Sequence, residues 1–307
     1  MTPSHPSTLR TWLQLFRAPN LFTVPGDPLA GYVLASYGAF EGDVFFAVGA
    51  SVCFYAAGLL DNDLADLAED RAERPNRPLP SGAANPRTVA VVAAILTGIG
   101  LVLAGKLGAA ALIVAAGVVV SVAVYNHVTK HLPLIGALNM GVCRGLSVLL
   151  GAAAAAHSEL LWRLLSAGRL NPLLIAVSLV TLFIAAVTHL ARFETKAKSP
   201  LLAKWLPGCA LLAGAVLFLA QVRTPTFWST TAIFSVAVLS AFAVALHLAR
   251  DAGAPVPPCI GQLIRLLLLI QTAFCAAAGT VESSLCAALL LIAWPLSRAV
   301  SKRFYAS

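Results

Sequence analysis

The sequence has little charge and few acids for its length. Charged residues make up 11% of the 307 residues, Asp and Glu together number 13, and the mean hydropathy is +0.85. This composition excludes an ordinary soluble domain and favours a helical protein that crosses a membrane many times. The net charge of +8 does not indicate nucleic-acid binding, because the positive residues lie in short loops between apolar runs, which is usual for membrane topology.

The sequence also lacks paired cysteines, a cleavable leader and internal repeats. Its six cysteines are scattered, mostly within apolar runs, without zinc or disulfide spacing, so we expect them to pack as small apolar residues. The first apolar stretch is long and is followed by many others, which predicts a retained span. The absence of repeated halves disfavours a secondary transporter. Without a long linker, residues 1–307 are expected to form one domain.

Long apolar runs are abundant. Ten segments approach the roughly 20 residues that a membrane span requires: 18–38, 43–60, 87–105, 108–128, 134–156, 172–191, 202–221, 227–249, 260–279 and 283–301. The predicted fold is therefore all-α, a transmembrane bundle of nine or ten helices. Ten alternating spans place most of the 21 lysines and arginines on the side of the N-terminus, which charge bias assigns to the cytoplasm. We therefore prefer ten.

The first predicted span contains several helix-breaking residues and one acid. Pro19, Pro25 and Pro28 require the segment to bend, and neighbouring helices must cover the backbone groups that the bend frees. Asp27 lies within it. An acid at that depth is either a functional group or the partner of a charge on a neighbouring helix, and the sequence leaves both interpretations open.

An acidic stretch joins the second and third predicted spans. Six of the 13 acids lie between Asp61 and Glu73. Asn62, Asp66 and Asp70 are four residues apart, so on a helix they stay near one face, where like charges repel unless a cation lies between them. Carboxylate and amide oxygens suit Mg²⁺, which is commonly bound by one or two carboxylates together with substrate phosphates. We expect a short acidic helix at the mouth of the bundle.

A basic, proline-rich turn follows the acids. Arg74 and Arg77 carry forked donors that fit phosphate oxygens, and the prolines at 75, 78 and 80 end any helix. Acids and arginines in this order indicate a metal-bridged diphosphate. The alternative is a solvated loop helix with internal salt bridges. The clustering of acids in a charge-poor chain favours the binding site.

The motifs resemble those of a known family. Asn62-Asp63-x-x-Asp66-x-x-x-Asp70, followed by Arg74-Pro-Asn-Arg77-Pro-Leu-Pro-Ser-Gly82, resembles the first signature of the UbiA superfamily of intramembrane prenyltransferases. Arg17-Ala-Pro-Asn20 resembles the family's opening motif, and Tyr125 to Lys130 with Gly136, Asn139, Arg144 and Gly145 matches in order. The resemblance covers about residues 10–200. It implies a helical bundle around a central cavity that opens to lipid, with Mg²⁺ and a prenyl diphosphate at the cytoplasmic mouth.

The resemblance also implies roles for individual residues. The implied metal ligands are Asn62, Asp63, Asp66 and Asp70; the implied substrate-binding residues are Asn20, Arg74, Arg77, Tyr125, Lys130, Arg144 and Lys196; the implied catalytic residues are Asp66, Asp70 and Glu194. The implied partners are a prenyl diphosphate, a lipophilic acceptor and membrane lipid, without nucleic acid. The implied location is the bacterial inner membrane, with the site facing the cytoplasm.

The second signature departs from the family pattern. Where aspartates are expected in the segment 188–198, the chain has His189 and Lys196, and Glu194 is its only carboxylate. Arg192 and the lysines at 196 and 198 either replace the charge of a second metal or serve only as topology-determining loop cations. This departure supports an alternative function, in which the protein binds or carries an isoprenoid lipid without turnover.

Arg144 and its surroundings suggest a branch of the family. The segment 139–151, with Arg192-Phe-Glu194 and the additional C-terminal span, resembles the EboC-like branch of UbiA proteins. Arg144 lies about one-third into its predicted span, where a charge normally faces the bundle interior. We expect it to contact an acid or the diphosphate; the alternative is a helix-packing ion pair with Asp27.

Overall fold

The computed structural model describes residues 8–155, 171–194, 199–251 and 254–303, and its regular structure is helical throughout these ranges. The helices are α1 (Thr8–Leu15), α2 (Ala18–Leu21), α3 (Gly26–Ala35), α4 (Asp43–Ala65), α5 (Leu67–Glu73), α6 (Pro86–Lys106), α7 (Ala109–Val124), α8 (Pro133–Ala155), α9 (Pro172–Ala191), α10 (Leu201–Leu219), α11 (Phe227–Arg250), α12 (Val256–Ala277) and α13 (Val281–Arg303). A π-helical turn, Tyr125–Thr129, continues α7. The predicted fold class is confirmed.

Nine helices in the described ranges, α4 and α6 to α13, are long and apolar enough to cross a membrane. They correspond to nine of the ten predicted segments. The prediction of a tenth full-length span at 18–38 was wrong, because this segment is divided into α2, with 4 residues, and α3, with 10 residues. A 10-residue helix rises only about 15 Å, half of a bilayer core. The division falls just before Pro25, so the predicted bend is confirmed.

The outer helix faces are apolar and the bundle interior is closely packed. Val91, Ile95, Ile99 and Val102 of α6 lie on one exposed face at spacings of three and four residues, as expected for a surface that contacts lipid. Among the nine spans, α12 is the most enclosed, since 78% of its apolar 18-residue stretch is buried inside the protein. These features, together with the nine spans, make the chain an integral multi-pass membrane protein.

Helices α3 and α8 approach each other at two glycines. A Cβ on Gly31 of α3 would lie 1.8 Å from the carbonyl oxygen of Val148, and a Cβ on Gly151 of α8 would lie 1.8 Å from that of Pro28. Backbone atoms cannot move aside as a flexible side chain does. The absence of a side chain at both positions therefore sets the distance between these helices, and with it the position of the broken N-terminal segment.

Replacing Gly151 with alanine is expected to destabilise the protein by about 1–3 kcal/mol, because the added methyl group overpacks this contact. Thermal unfolding of the purified chain in detergent measures the effect. Gly98→Ala in α6 is the matched control, since its Cβ would meet nothing within 4 Å and alanine is the better helix former. Equal melting temperatures for the two variants would contradict this description of the α3–α8 contact.

Candidate functional site

A chamber of about 360 Å³ lies among α4, α7 and α8. One face of α4 forms much of its wall. Ser51, Tyr55, Gly58, Asn62 and Asp66 follow one another at intervals of three and four residues, so they share a face of the helix. This wall is polar at the end of α4 that carries Asn62 and Asp66, which we call the mouth of the chamber.

Helix α7 contributes apolar side chains, and α8 contributes both apolar and polar ones. Val118 and Val122 come from α7, and Met140 and Leu150 come from α8. Phe54 of α4 completes the apolar lining. A chamber with a polar mouth and an apolar body suits a ligand with a charged head and a hydrocarbon tail.

The mouth brings together acidic, amide and basic groups. The Asn62 amide donates to Asp66 Oδ2 at 3.0 Å. The Lys130 ammonium, from the end of the π-helical turn, contacts Asp66 Oδ1 in a partly buried ion pair. Glu69 also lines the chamber. Asn62, Asp66 and Lys130, three of the predicted site residues, therefore lie side by side on the chamber wall.

The other two predicted acids point elsewhere. Asp63 Oδ1 pairs with Arg17 at 3.2 Å, and the carboxylate of Asp70 receives two hydrogen bonds from Arg77, at 2.8 and 3.1 Å, with Arg74 at 3.9 Å. Among the described residues that line the chamber, neither Asp63 nor Asp70 is present. A short acidic helix is present as α5, but it begins only at Leu67, because α4 continues to Ala65 and carries the earlier acids of the stretch. Asp70 therefore does not share the chamber-facing side of the helix with Asn62 and Asp66.

Arg17 supports the mouth from the N-terminal segment. It lines the chamber, and its backbone is in the left-handed region with φ of 45°, a conformation that costs an L-residue about 1 kcal/mol or more. The conformation joins α1 to α2 and accompanies the contact of Arg17 with Asp63. Outliers of this kind cluster at ligand sites, which supports a binding role for Arg17.

The π-helical turn that carries Lys130 is held on both sides. Asn126 donates to Asp61 Oδ2 at 2.7 Å and to the carbonyl of Gly58 at 3.1 Å. On the other side, Arg192 donates to the carbonyls of Lys130 and His131 at 3.4 and 3.3 Å. The position of Lys130 thus depends on α4 and on the end of α9. Arg192 supports the turn through backbone carbonyls in this structure.

Glu194 lies beyond the end of α9 and is exposed. Desolvation by the surrounding protein raises the pKa of Glu194 above its usual range, and the positive charges of Arg74, Arg17 and Arg77 oppose that shift. Glu194 is therefore close to the predicted diphosphate-binding arginines, although it does not line the chamber among the described residues. Lys196 lies outside the described residues.

A buried polar network adjoins the inner part of the chamber. Arg144 lines the chamber, and its Nε lies 2.7 Å from Oδ2 of Asp27, which is fully buried. Gln271 of α12 donates to Asp27 Oδ1 at 2.6 Å, and both Gln271 and Arg144 donate to the carbonyl of Thr23 at 2.8 Å. The two interpretations of Arg144, a residue that faces the chamber and the partner of Asp27, are therefore compatible, since it does both.

Asn20 and Tyr125 were predicted to bind substrate, and they occupy different positions. Tyr125 lines the chamber beside Lys130. Asn20 is absent from the described lining, but its side chain hydrogen-bonds Tyr55, whose ring lies 5.8 Å from the Arg144 guanidinium carbon. Arg74 and Arg77 are also outside the described lining, because they are paired with Asp70.

Several polar lining residues have no role in the sequence predictions, among them Ser51, Tyr55, Glu69 and Ser147. Ser51 and Tyr55 could have been found by extending the three- and four-residue spacing of Asn62 and Asp66 towards the N-terminus of the same helix. The signal for Ser147 is its position three residues after Arg144, on the same face of α8. Single serines and tyrosines within apolar runs are common, so this spacing alone does not distinguish them.

The mouth provides oxygen donors of the type that Mg²⁺ prefers. Asn62, Asp66 and Glu69 face the chamber, and Lys130 and Arg17 beside them can contact phosphate oxygens. In the described part of the chain, no group of three or more acidic, histidine or cysteine side chains is close enough to hold a metal. The donor set therefore fits a cation that receives its remaining ligands from a phosphorylated substrate and water, and does not fit a cage made of protein alone.

Comparison with known proteins gives one family. The model of the UbiA prenyltransferase family matches residues 28–256. Curated relatives include the digeranylgeranylglyceryl phosphate synthases of Natronomonas pharaonis, 32% identical over 146 residues, and of Methanocaldococcus jannaschii, 38% identical over 100 residues. These matches cover 48% and 31% of this chain and 53% and 34% of the relatives. The matched region thus spans about half or less of those relatives.

Solved structures with the same fold have low sequence identity. One solved structure concerns the biosynthesis of digeranylgeranylglyceryl phosphate synthase in membranes. It has a TM-score of 0.62 at 19% sequence identity, and the match covers 90% of this chain and 100% of that chain. A UbiA homolog from Aeropyrum pernix has a TM-score of 0.63 at 21% sequence identity. This match covers 83% of this chain and 96% of that chain. A UbiA homolog from Archaeoglobus fulgidus bound to DMAPP and Mg²⁺ has a TM-score of 0.62 at 12% sequence identity. This match covers 88% of this chain and 100% of that chain.

Proposed function

The chain belongs to the UbiA prenyltransferase family, and from this premise we propose that it transfers a prenyl group from a prenyl diphosphate to a lipid-soluble acceptor within the membrane, with Mg²⁺ as cofactor. The observation that carries the proposal is the chamber. Asn62, Asp66 and Lys130 lie at its mouth, and apolar side chains of α4, α7 and α8 line its body. Oxygen ligands and cations suit the diphosphate, and the apolar body suits the hydrocarbon tail.

The proposed chemistry breaks the bond between the first carbon of the prenyl group and its diphosphate oxygen. The diphosphate leaves with the electron pair, the acceptor forms a new bond to that carbon, and the proton lost by the acceptor passes to the diphosphate or to water. When bound, Mg²⁺ neutralises charge on the departing diphosphate. Lys130 and Arg17 add fixed positive charge at the same mouth. The apolar wall excludes water from the allylic cation.

The proposed residue roles follow from these positions. Asn62 and Asp66 hold the cation, and Lys130 holds diphosphate oxygens while Tyr125 lies beside it. Asp70 positions Arg77 and Arg74 through its ion pairs. Glu194 lies near those arginines and contributes to the charge balance around the diphosphate. Asp63 supports Arg17. The metal-binding role of Asp63 and Asp70 and the substrate-binding role of Lys196 stay predictions.

The donor and acceptor follow from the chamber and the relatives. The apolar part of the chamber wall suits the hydrocarbon tail of a prenyl donor. The names of the relatives make a geranylgeranyl donor and a glyceryl phosphate lipid acceptor suitable first substrates. Aromatic and isoprenoid-related acceptors are the other proposed class. The location in a bacterial inner membrane with a cytoplasmic mouth, and membership in the EboC-like branch, stay predictions.

Diphosphate release from geranyl, farnesyl and geranylgeranyl diphosphates in detergent micelles tests the proposal. With Mg²⁺ and a supplied acceptor, we expect release and a prenylated product detected by mass spectrometry, and neither in EDTA. The alternative, a protein that binds or carries an isoprenoid lipid without turnover, predicts donor binding without release for every acceptor tested. That outcome would replace the proposed activity and retain the proposed binding site.

A further inference from the structure

The chamber has a second polar region that a prenyl diphosphate does not explain. On α4, Tyr55 lies seven residues before Asn62 and Ser51 lies eleven before it, which corresponds to about 10 and 16 Å along the helix axis. Arg144 and Ser147 of α8 face the same region, and Ser147 Oγ lies 2.5 Å from Ser51 Oγ. A hydrocarbon tail offers these groups no hydrogen bond.

The position of the guanidinium in this region is fixed from outside the chamber. Asp27 of α3 and the Thr23 carbonyl before it hold Arg144, and Gln271 of α12 in turn donates to both of these groups. Arg144 is 7% exposed, and Asp27 is 0% exposed and does not belong to the described lining. The chamber therefore presents a preorganised donor whose charge is already balanced by a carboxylate on the far side.

We infer that Arg144 and Tyr55, with Ser51 and Ser147, form an acceptor subsite that binds an uncharged oxygen, a hydroxyl or a carbonyl, of the second substrate. The inference rests on the proposed function, since it assigns the acceptor to the inner polar region and the diphosphate to the mouth. An anionic group at this place would leave an unbalanced negative charge in a buried site, because Asp27 already neutralises Arg144. An uncharged oxygen accepts a hydrogen bond without that cost.

Tyr55 links the subsite to the mouth. Its ring lies 5.8 Å from the Arg144 guanidinium carbon, and its hydroxyl hydrogen-bonds the side chain of Asn20. Asn20 is three residues from Arg17, which lines the mouth. The subsite is thus connected to the region where the prenyl carbon would lose its diphosphate, and this connection gives Asn20 an indirect role through Tyr55.

Binding of small probes to the full chain in lipid nanodiscs tests this assignment. The probes are para-propylphenol, which carries an uncharged hydroxyl, propylbenzene, which lacks it, and para-propylbenzoate, which is anionic. Titration calorimetry, corrected with empty nanodiscs, gives each affinity. We expect the phenol to bind at least about tenfold more tightly than either other probe. Equal affinity for the phenol and propylbenzene, or tighter binding of the benzoate, would overturn the inference.

Two variants localise the effect. Arg144→Met is expected to weaken phenol binding about tenfold or more, and Tyr55→Phe about fivefold, because each removes a donor to the bound oxygen. Tyr55→Phe keeps the ring and serves if Arg144→Met does not fold. The matched controls are Tyr32→Phe, whose hydroxyl accepts from the Glu41 amide, and Arg265→Met, both outside the described lining. Unchanged phenol binding in a folded Tyr55→Phe variant, or in a folded Arg144→Met variant, would overturn the inference.

Donor binding separates this inference from the proposed function. Geranylgeranyl diphosphate with Mg²⁺ is titrated into the same wild-type nanodisc samples, and the proposed function predicts that it binds, with its diphosphate held at the mouth. A wild type that does not bind this donor would contradict the proposed function, while the phenol titrations would still judge the subsite.

Discussion

Replacing Asp66 with asparagine is expected to reduce Mg²⁺-dependent diphosphate release by about 100-fold or more. Asp66 lies at the chamber mouth between Asn62 and Lys130, so the change removes an anionic ligand of the proposed cation and the partner of a lysine. A coupled phosphate assay with geranylgeranyl diphosphate in detergent micelles measures the rate. Asp70→Asn is expected to impair release as well, through the loosened position of Arg77.

The matched control is Glu73→Gln, which removes a negative charge from the same acidic stretch. Glu73 is exposed at the end of α5 and is absent from the described lining, so release is expected within about twofold of the wild type, as for an ordinary surface charge. Full activity of Asp66→Asn would contradict the proposed metal ligand. An equal loss in Glu73→Gln would mean that the total charge of the stretch matters, and not the position of Asp66.

Replacing Asp27 with alanine is expected to destabilise the protein by about 3–5 kcal/mol, one of the largest effects of any single change proposed. Asp27 is fully buried and contacts Arg144 at 2.7 Å and Gln271 at 2.6 Å. Its removal leaves a buried guanidinium without a counter-charge. The melting temperature of the purified chain in detergent is the measurement, and it should fall by several degrees.

The double variant Asp27→Ala with Arg144→Met tests the cause. If the loss arises from the unpaired charge, removing that charge should restore much of the melting temperature. Asp43→Ala, at the exposed start of α4, is the control and should have little effect. A double variant that melts no higher than Asp27→Ala would show that the acid acts through packing and not through Arg144.

Much of the fold was predictable from the sequence, because apolar runs of membrane length have few alternative structures. Nine predicted spans correspond to observed helices, and the bend near Pro25 was expected. The prediction of a span at 18–38 was wrong because composition shows only that this segment is apolar. Its division into α2 and α3 depends on the backbone between them, which Arg144 of α8 and Gln271 of α12 cover. The close contacts of Gly31 and Gly151 that seat α3 have no signature in a single sequence.

The candidate site was predictable in part. Asn62 and Asp66 are four residues apart and both line the chamber, whereas Asp70 does not, because a helix ends between Asp66 and Asp70; their role as metal ligands stays a prediction. Ion pairs between distant segments, such as Asp63 with Arg17 and Asp66 with Lys130, depend on tertiary packing and carry no local pattern. The depth of Arg144 was expected from its place in a span. Gln271, which bonds the Asp27 carboxylate that pairs with Arg144, comes from a helix more than one hundred residues away along the chain.

The most direct test of the central claim is the Mg²⁺ dependence of donor binding. Calorimetric titration of geranylgeranyl diphosphate into the wild type and Asp66→Asn, each with Mg²⁺ or with EDTA, measures whether the chamber mouth joins a cation to a diphosphate. We predict that Mg²⁺ raises the wild-type affinity at least about tenfold and has little effect in Asp66→Asn. Equal wild-type affinity in Mg²⁺ and EDTA, or an unchanged Mg²⁺ effect in Asp66→Asn, would contradict the account.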